Sequence, residues 1–136
     1  MKTIKLEGDK LRWQSISLEA ILNALNGYDF VSSSIWSIEW FDGVVTPNFP
    51  YNLMEFEEMI NQRKEPLHLD FESLLALSRY IKDLNDLKLT CGEHQINSDN
   101  QSATNLSIEL FDSTYWEISS YDEKMLSYIE DHFSAQ

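Results

Sequence analysis

Histidine and cysteine most often carry nucleophilic, acid–base or metal chemistry, and this chain of 136 residues has three histidines and one cysteine. His68 precedes Asp70 by two positions, a spacing that suits a metal site or a catalytic dyad. No third ligand lies nearby in the sequence, so a turn or capping role is favoured. Cys91 lies in an acidic region, which does not stabilise a thiolate, and we expect a buried, inert thiol. His94 lies in a polar stretch, and His132 lies at the end of a predicted helix, where a positive charge is stabilised.

The familiar catalytic and metal-binding motifs are missing. The chain has no Gly-rich phosphate loop, no Cys-x-x-Cys, no His-Glu-x-x-His and no Gly-x-Ser-x-Gly. Residues 97–101 resemble a calcium loop but lack its glycine and its distal glutamate. We therefore expect no catalytic residue, no metal and no cofactor, and predict that the protein is not an enzyme. An enzyme of unfamiliar type is the remaining catalytic alternative; it would need a deep pocket that holds His68 or Cys91 beside carboxylates.

Carboxylates are the abundant functional groups. The chain has 23 acidic and 10 basic residues, a formal net charge of -13 and an isoelectric point near 4.4. Residues 92–136 hold nine of the acids and a single base, Lys124. Such a chain repels nucleic-acid phosphates and anionic membranes and attracts cationic proteins. We expect a basic protein partner and neither nucleic acid nor membrane, with solubility as the competing explanation of the charge.

Aromatic residues accompany the acidic ones in the C-terminal third. Tyr115 and Trp116 are adjacent in a predicted strand, so they point to opposite faces of a sheet and one of them must leave the core. An exposed aromatic residue on an acidic surface is a typical interface anchor. The candidate partner-binding residues are Glu109, Asp112, Tyr115, Trp116, Glu117, Tyr121 and Asp122, with Glu39 and Asp42 as a second group.

Hydrophobic periodicity predicts the elements that must position these residues. Helices are predicted at 18–26, 53–62, 71–84 and 121–133, capped by Ser17, Asn52, Asp70 and a Ser120–Glu123 capping box. Strands are predicted at 2–7, 34–41, 87–91, 106–111 and 114–119. Alternation within 34–41 places Trp36, Ile38 and Trp40 on one face and Phe41 on the other. Asp42-Gly43 predicts a turn before a short return strand at Val44-Val45.

These elements predict one α+β domain spanning residues 1–136, with a small antiparallel or mixed sheet packed with about four helices. A polar loop is expected at about 92–105. A lone cysteine excludes an internal disulfide, and the N-terminus has no apolar run of signal-peptide length. No segment approaches the ~20 apolar residues of a membrane span. A cytoplasmic location is therefore expected, and the oligomeric state is left open.

Several stretches resemble the immunity proteins of bacterial polymorphic toxin and contact-dependent growth inhibition systems. They are the leucine-and-acid opening at 65–74, the segment 84–92, the strand–strand–helix ending formed by 108–118 and 122–133, and the aromatic strand at 35–41. The resemblance covers about residues 34–133. The long polar loop before the last hairpin departs from the usual turn of that family.

The resemblance implies an inhibitor that binds a cognate toxin domain inside the cell and blocks its active site or substrate groove. Many such toxins are nucleases with basic clefts, and the carboxylates of the inhibitor would stand where phosphates lie. The alternative is an adaptor or regulatory interaction module without a toxin partner, which would bind through a neutral, apolar patch.

Overall fold

The computed structural model describes residues 1–7, 16–62, 67–93 and 103–134. Within them the chain forms one antiparallel sheet of six strands in the order β1-β6-β5-β4-β2-β3. The strands are β1 (Lys2–Glu7), β2 (Ile35–Val45), β3 (Leu67–Asp70), β4 (Ile81–Glu93), β5 (Ala103–Phe111) and β6 (Tyr115–Ser120). The predicted α+β class with an antiparallel sheet is confirmed.

Five helices are formed by the described residues: α1 (Leu18–Leu25), α2 (Asp29–Ser32), α3 (Leu53–Asn61), α4 (Phe71–Ser78) and α5 (Glu123–Ser134). Three of them begin at the predicted caps. The side chains of Ser17, Asn52 and Asp70 accept hydrogen bonds from the backbone N–H three residues later, at 3.1, 3.1 and 2.7 Å. These bonds satisfy N–H groups that the first helical turn leaves without a partner.

One hydrophobic core lies between the helices and one face of the sheet. Alternate residues of the strands point into it, as the two-residue period of a strand requires. The core residues of β2, β4, β5, β6 and α1 include Trp36, Ile38, Phe41, Leu87, Leu89, Leu106, Ile108, Leu110, Trp116, Ile118, Ile21, Leu22 and Leu25. This arrangement places the described helices on one side of the sheet, and none of them covers the side chains of the other face.

The predicted turn at Asp42-Gly43 is wrong. Strand β2 runs through these residues to Val45 and pairs with β4 along its whole length. The pairing contains register shifts between Ile38 and Trp40 and between Asp42 and Gly43. A bulge adds an extra residue to one strand and bends it locally. Asp42 and Gly43 therefore stay in a bent strand paired with β4 and do not form a hairpin turn.

The first of these shifts also reverses the predicted facing of two aromatic residues. Phe41 points into the core and is 2% exposed, whereas Trp40 points outward and is 40% exposed. Strict alternation would have placed Trp40 beside Trp36 and Ile38. The bulge breaks the alternation between them.

The predicted helix 71–84 is too long. Helix α4 ends at Ser78, and the chain enters β4 at Ile81, which pairs with Val45. Two short elements, α2 and β3, were not predicted. The last helix is capped by Asp122, whose carboxylate accepts from the Met125 N–H at 3.0 Å, and not by Ser120.

Both ends of the predicted polar loop at 92–105 belong to strands, because β4 extends to Glu93 and β5 begins at Ala103. Residues 94–102 lie outside the described part of the chain. The loop prediction for them, like the assignment of His94 to a polar loop, is therefore not addressed by the structure.

Candidate partner-binding site

The face of the sheet opposite the helices is called the open face. Its side chains come from every strand and form rows that follow the register of the sheet. One row carries Thr3, Ser119, Ser107, Thr90, Ser37 and His68. All of these residues except His68 are serine or threonine, and the hydroxyl groups of Thr3 and Ser119 are hydrogen-bonded at 2.7 Å.

The next row crosses the centre of the open face and carries the charges. Lys5 lies opposite Glu117, Glu117 opposite Glu109, Glu109 opposite Lys88, and Lys88 opposite Trp40. Two carboxylates therefore stand side by side in the middle of the sheet, with one lysine on each outer side. Like charges directly opposite each other on neighbouring strands destabilise a sheet.

The electrostatics of Glu109 show this cost. Burial raises the pKa of its carboxyl group above the usual glutamate range, and the neighbouring Glu117 and Asp86 raise it further. Lys88 opposes the shift, with its Nζ 4.0 Å from Glu109 Oε1. The Glu109 side chain is only 20% exposed. The nearby Lys88 therefore offsets only part of the cost of burying the charged Glu109 carboxylate beside other carboxylates.

Each lysine of the row also lies over an aromatic ring. Lys5 Nζ is 4.2 Å from the Tyr115 ring centroid, and Lys88 Nζ is 5.1 Å from the Trp40 ring centroid. A cation beside a ring face and a carboxylate is a favourable arrangement. The open face therefore holds cations at both ends of its central carboxylate pair.

A third row carries aromatic and acidic groups. Tyr115 stacks on Phe111, with ring centroids 5.1 Å apart. Asp42 lies opposite Asp86, and the Asp112 N–H donates to Asp86 Oδ1 at 3.0 Å. Asp112 occupies the turn between β5 and β6 with a positive φ of 49°. Aspartate tolerates this conformation better than most residues.

The structure brings together part of the residue set predicted from the sequence. Glu39, Glu109, Tyr115 and Glu117 all point to the open face, and Glu39 accepts a hydrogen bond from Thr90 Oγ1 at 3.1 Å. Asp42 and Asp112 lie with Asp86 at one end of that face.

Trp116 does not lie on the surface. It is 3% exposed, and its indole N–H donates to the Ile16 carbonyl at 2.9 Å. The prediction that Trp116 contacts a partner is wrong, because Trp116 is buried and Tyr115 is the member of the pair that leaves the core. Tyr121 is 71% exposed but precedes α5, outside the rows of the sheet. Asp122 caps α5, so reversing its charge would disturb the helix as well as the surface.

Sequence reasoning missed four residues of the open face: Trp40, Lys88, Asp86 and Phe111. Alternation alone places Trp40 on the same face as Trp36 and Ile38, because it carries no sign of a bulge. Asp86 precedes the predicted strand 87–91, so its outward direction follows only once β4 is known to begin at Ile81. Lys88 and Phe111 lie within predicted strands, where alternation with the buried Leu87 and Leu110 already indicates that they point outward.

The residues considered for catalysis do not form a site. His68 is exposed on β3, with Nδ1 2.9 Å from Ser37 Oγ, on the open face. Cys91 points into the core on the opposite face, where burial raises the pKa of its thiol. Among the described residues there is no group of three histidine, cysteine, aspartate or glutamate side chains that could hold a metal ion.

A separate feature lies on the helix side. A cleft between α3 and α4 has a volume of about 740 Å³ and is lined mainly by apolar side chains, among them Phe56, Met59, Leu67, Leu69 and Leu77. Tyr51, another lining residue, is 63% exposed. The cleft therefore exposes part of the apolar surface that borders the core.

The fold and these two surfaces define the chain as an α+β protein with an open-faced six-stranded antiparallel sheet within the described residues. No protein-family model, curated protein sequence or solved structure matches it. None of the described helices is long and apolar enough to cross a membrane.

Proposed function

We propose that this chain is a non-catalytic immunity protein, which binds a cognate basic toxin domain of the nuclease type through the open face of its sheet. The observation that carries the proposal is the Glu109–Glu117 pair at the centre of that face. The pair costs the folded protein stability, since like charges oppose each other and Glu109 is partly buried. A partner that supplies cations there would remove the cost on binding.

The mechanism of inhibition is occlusion. Arginine and lysine side chains that line a nuclease cleft would meet carboxylates in place of the phosphates of the nucleic acid. Tyr115, Phe111 and Trp40 border the carboxylates and supply the apolar contact that anchors an interface. The net charge of -13 steers a basic partner toward the inhibitor, and fast capture suits an antidote.

The cellular setting follows from the resemblance to immunity proteins of contact-dependent growth inhibition systems. Such an inhibitor acts in the cytoplasm on a toxin delivered by a neighbouring cell. The segment 108–118, which belongs to that resemblance, contributes Glu109, Phe111, Tyr115 and Glu117 to the open face.

The test is co-purification from the source cell with the product of the gene immediately upstream, at low and at high salt. The informative variant is Glu117→Lys, which reverses one charge at the centre of the open face. Glu130→Lys is the matched control, because Glu130 is exposed on α5 and the change in net charge is the same. We expect a basic protein that high salt releases and that Glu117→Lys loses, with affinity lowered about tenfold or more.

Equal binding by both variants would place the interface elsewhere and refute the open face as the site. Circular dichroism of each variant separates loss of the interface from loss of the fold.

A second candidate function, an adaptor or regulatory interaction module without a toxin partner, is favoured by one specific observation. The cleft between α3 and α4, which the exposed ring of Tyr51 also lines, offers an apolar contact surface on the other side of the molecule. A partner that binds there would be retained at high salt, because apolar contacts are not screened. Salt-resistant capture that is unaffected by Glu117→Lys would support this alternative.

A further inference from the structure

The cleft between α3 and α4 borders an edge of the sheet. β3 is the last strand in the order, and no described strand pairs with its outer side. Leu67 and Leu69, the two inward-pointing residues of β3, line the cleft. An edge strand presents backbone N–H and C=O groups that a further strand can pair with.

The geometry couples these two features. Side chains directly opposite each other on paired strands point to the same face of a sheet. Residues of an added strand that lie opposite Leu67 and Leu69 would therefore point into the cleft. Its volume of about 740 Å³ has room for several large apolar side chains. Met59 of α3 and Leu77 of α4 would contact them from the two walls.

The charges around the cleft select the partner. Glu55 is the one charged side chain among the described lining residues, and no described lysine or arginine lines the cleft. Glu58 and Glu72, each next in sequence to a lining residue, are exposed. Arg79, next to the lining residue Tyr80, is exposed too, but its guanidinium is paired with Glu19 at 3.1 Å. With a net charge of -13, a second copy of this chain would be repelled, whereas a basic segment would be attracted.

The shape of the cleft favours a peptide over a small molecule. Small-molecule sites enclose most of their ligand. This cleft is open to solvent on one side and continues into the exposed ring of Tyr51 at its mouth. In an extended peptide paired with β3, alternate side chains would enter the apolar cleft and the others would point to solvent.

We propose that β3 and the α3–α4 cleft together bind an extended, basic segment of a partner protein, which adds a strand to the sheet beside β3 and places alternate apolar side chains in the cleft. This site lies on the opposite face of the sheet from Glu109 and Glu117. It is independent of the proposed toxin interface, and either can fail without the other.

The experiment uses two synthetic peptides of about seven residues, the length of an ordinary strand. In one peptide, leucines alternate with lysines. In the other, the same leucines are consecutive, so they cannot all face one side of a strand. Each is titrated into the ¹⁵N-labelled full chain and followed by amide chemical shifts. The blocking variant is Ala76→Arg, which puts a bulky cation on the wall of the cleft at an exposed helix position. Ser127→Arg, at an exposed position of α5, is its matched control.

The proposal predicts shifts confined to β3, α3 and α4 with the alternating peptide and binding at least about tenfold weaker for the consecutive peptide. Ala76→Arg should weaken binding by a similar factor, and Ser127→Arg should leave it within about twofold. Shifts centred on Glu109 and Glu117 would overturn the proposal as electrostatic adsorption to the open face. Equal binding of the two peptides in the cleft, or no shifts at all, would overturn strand addition.

Discussion

The side-chain amide of Asn61 makes with Phe41 the two hydrogen bonds that a neighbouring strand would make. Its Oδ1 accepts from the Phe41 N–H at 3.0 Å, and its Nδ2 donates to the Phe41 carbonyl at 2.9 Å. β3 pairs with β2 only from Ile35 to Ile38, and no strand among the described residues lies beside the edge of β2 beyond that point. Helix α3 takes the place of that strand, and Glu57 adds a longer contact to the Gly43 N–H at 3.4 Å.

Replacing Asn61 with alanine should destabilise the protein by about 1–3 kcal/mol, because two partly buried backbone groups of Phe41 lose their partner. Chemical unfolding in urea measures the change. Gln62→Ala is the control, since Gln62 is the exposed neighbour at the end of the same helix. Equal stabilities of the two variants would show that α3 does not depend on this amide.

Gly43→Ala should destabilise the protein by about 1–3 kcal/mol through overpacking. A Cβ at this position would lie 2.7 Å from the Asp83 carbonyl oxygen, where β2 and β4 shift register. Gly27→Ala is the matched change, because a Cβ there meets nothing within 4 Å. We expect Gly27→Ala to be neutral or slightly stabilising. Thermal unfolding of both variants checks the pair, and a stable Gly43→Ala would mean that the bulge relaxes freely.

Glu109→Gln should stabilise the fold at pH 7. The folded-state pKa of Glu109 is raised, first by burial and then by Glu117 and Asp86, so the folded protein binds this proton more tightly than the unfolded chain does. Stability is therefore lost as pH rises from the usual glutamate pKa through the folded pKa, and glutamine avoids that loss.

Urea unfolding at pH 7 and at pH 3 measures this dependence. The gain from Glu109→Gln should be present at pH 7 and absent at pH 3, where glutamate is protonated in both states. Glu130→Gln, on the exposed side of α5, should show no comparable gain. A destabilised Glu109→Gln at pH 7 would instead mean that the contact with Lys88 outweighs burial. If the open face binds a basic partner, the same substitution should weaken binding while it strengthens the fold.

Cys91 should resist alkylation in the folded protein. The thiol is 1% exposed and its pKa is raised by burial, an effect that a hydrogen bond with Ser34 only partly offsets. Labelling with iodoacetamide should be about a hundredfold or more slower in buffer than in urea, because it requires opening of the structure. Ser127→Cys, a thiol at an exposed position of α5, should label rapidly in buffer. Fast labelling of Cys91 without urea would show that the core opens at β4.

Local features were predictable from the sequence. Ser17, Asn52 and Asp70 each cap the helix that follows them, and such a bond needs only residues within one helical turn. The strand at residues 2–7 and the hairpin around residues 112–113 also lie where composition placed them.

Features that depend on pairing between distant segments were not predictable. Ile81 and Leu84 continue the apolar spacing of α4, yet they belong to β4 because β2 offers them partners. The outward turn of Trp40 depends on the same pairing. Composition predicted that acidic residues would gather near Glu109 and Glu117. That these two carboxylates stand side by side depends on the register of β5 and β6, which a slip of one residue would change completely.

The position of β1 in the sheet bears on how the protein folds. Thr3 and Ser119, which are hydrogen-bonded across β1 and β6, are 116 positions apart in the chain. Closing so long a loop costs conformational entropy before the contacts between β1 and β6 can stabilise the fold. Folding slows as the mean sequence separation of contacts grows. During synthesis, residues 2–7 must wait until residues 115–120 have left the ribosome before they can join the sheet. We therefore expect β1 to dock late, after the hairpin of β5 and β6 has formed.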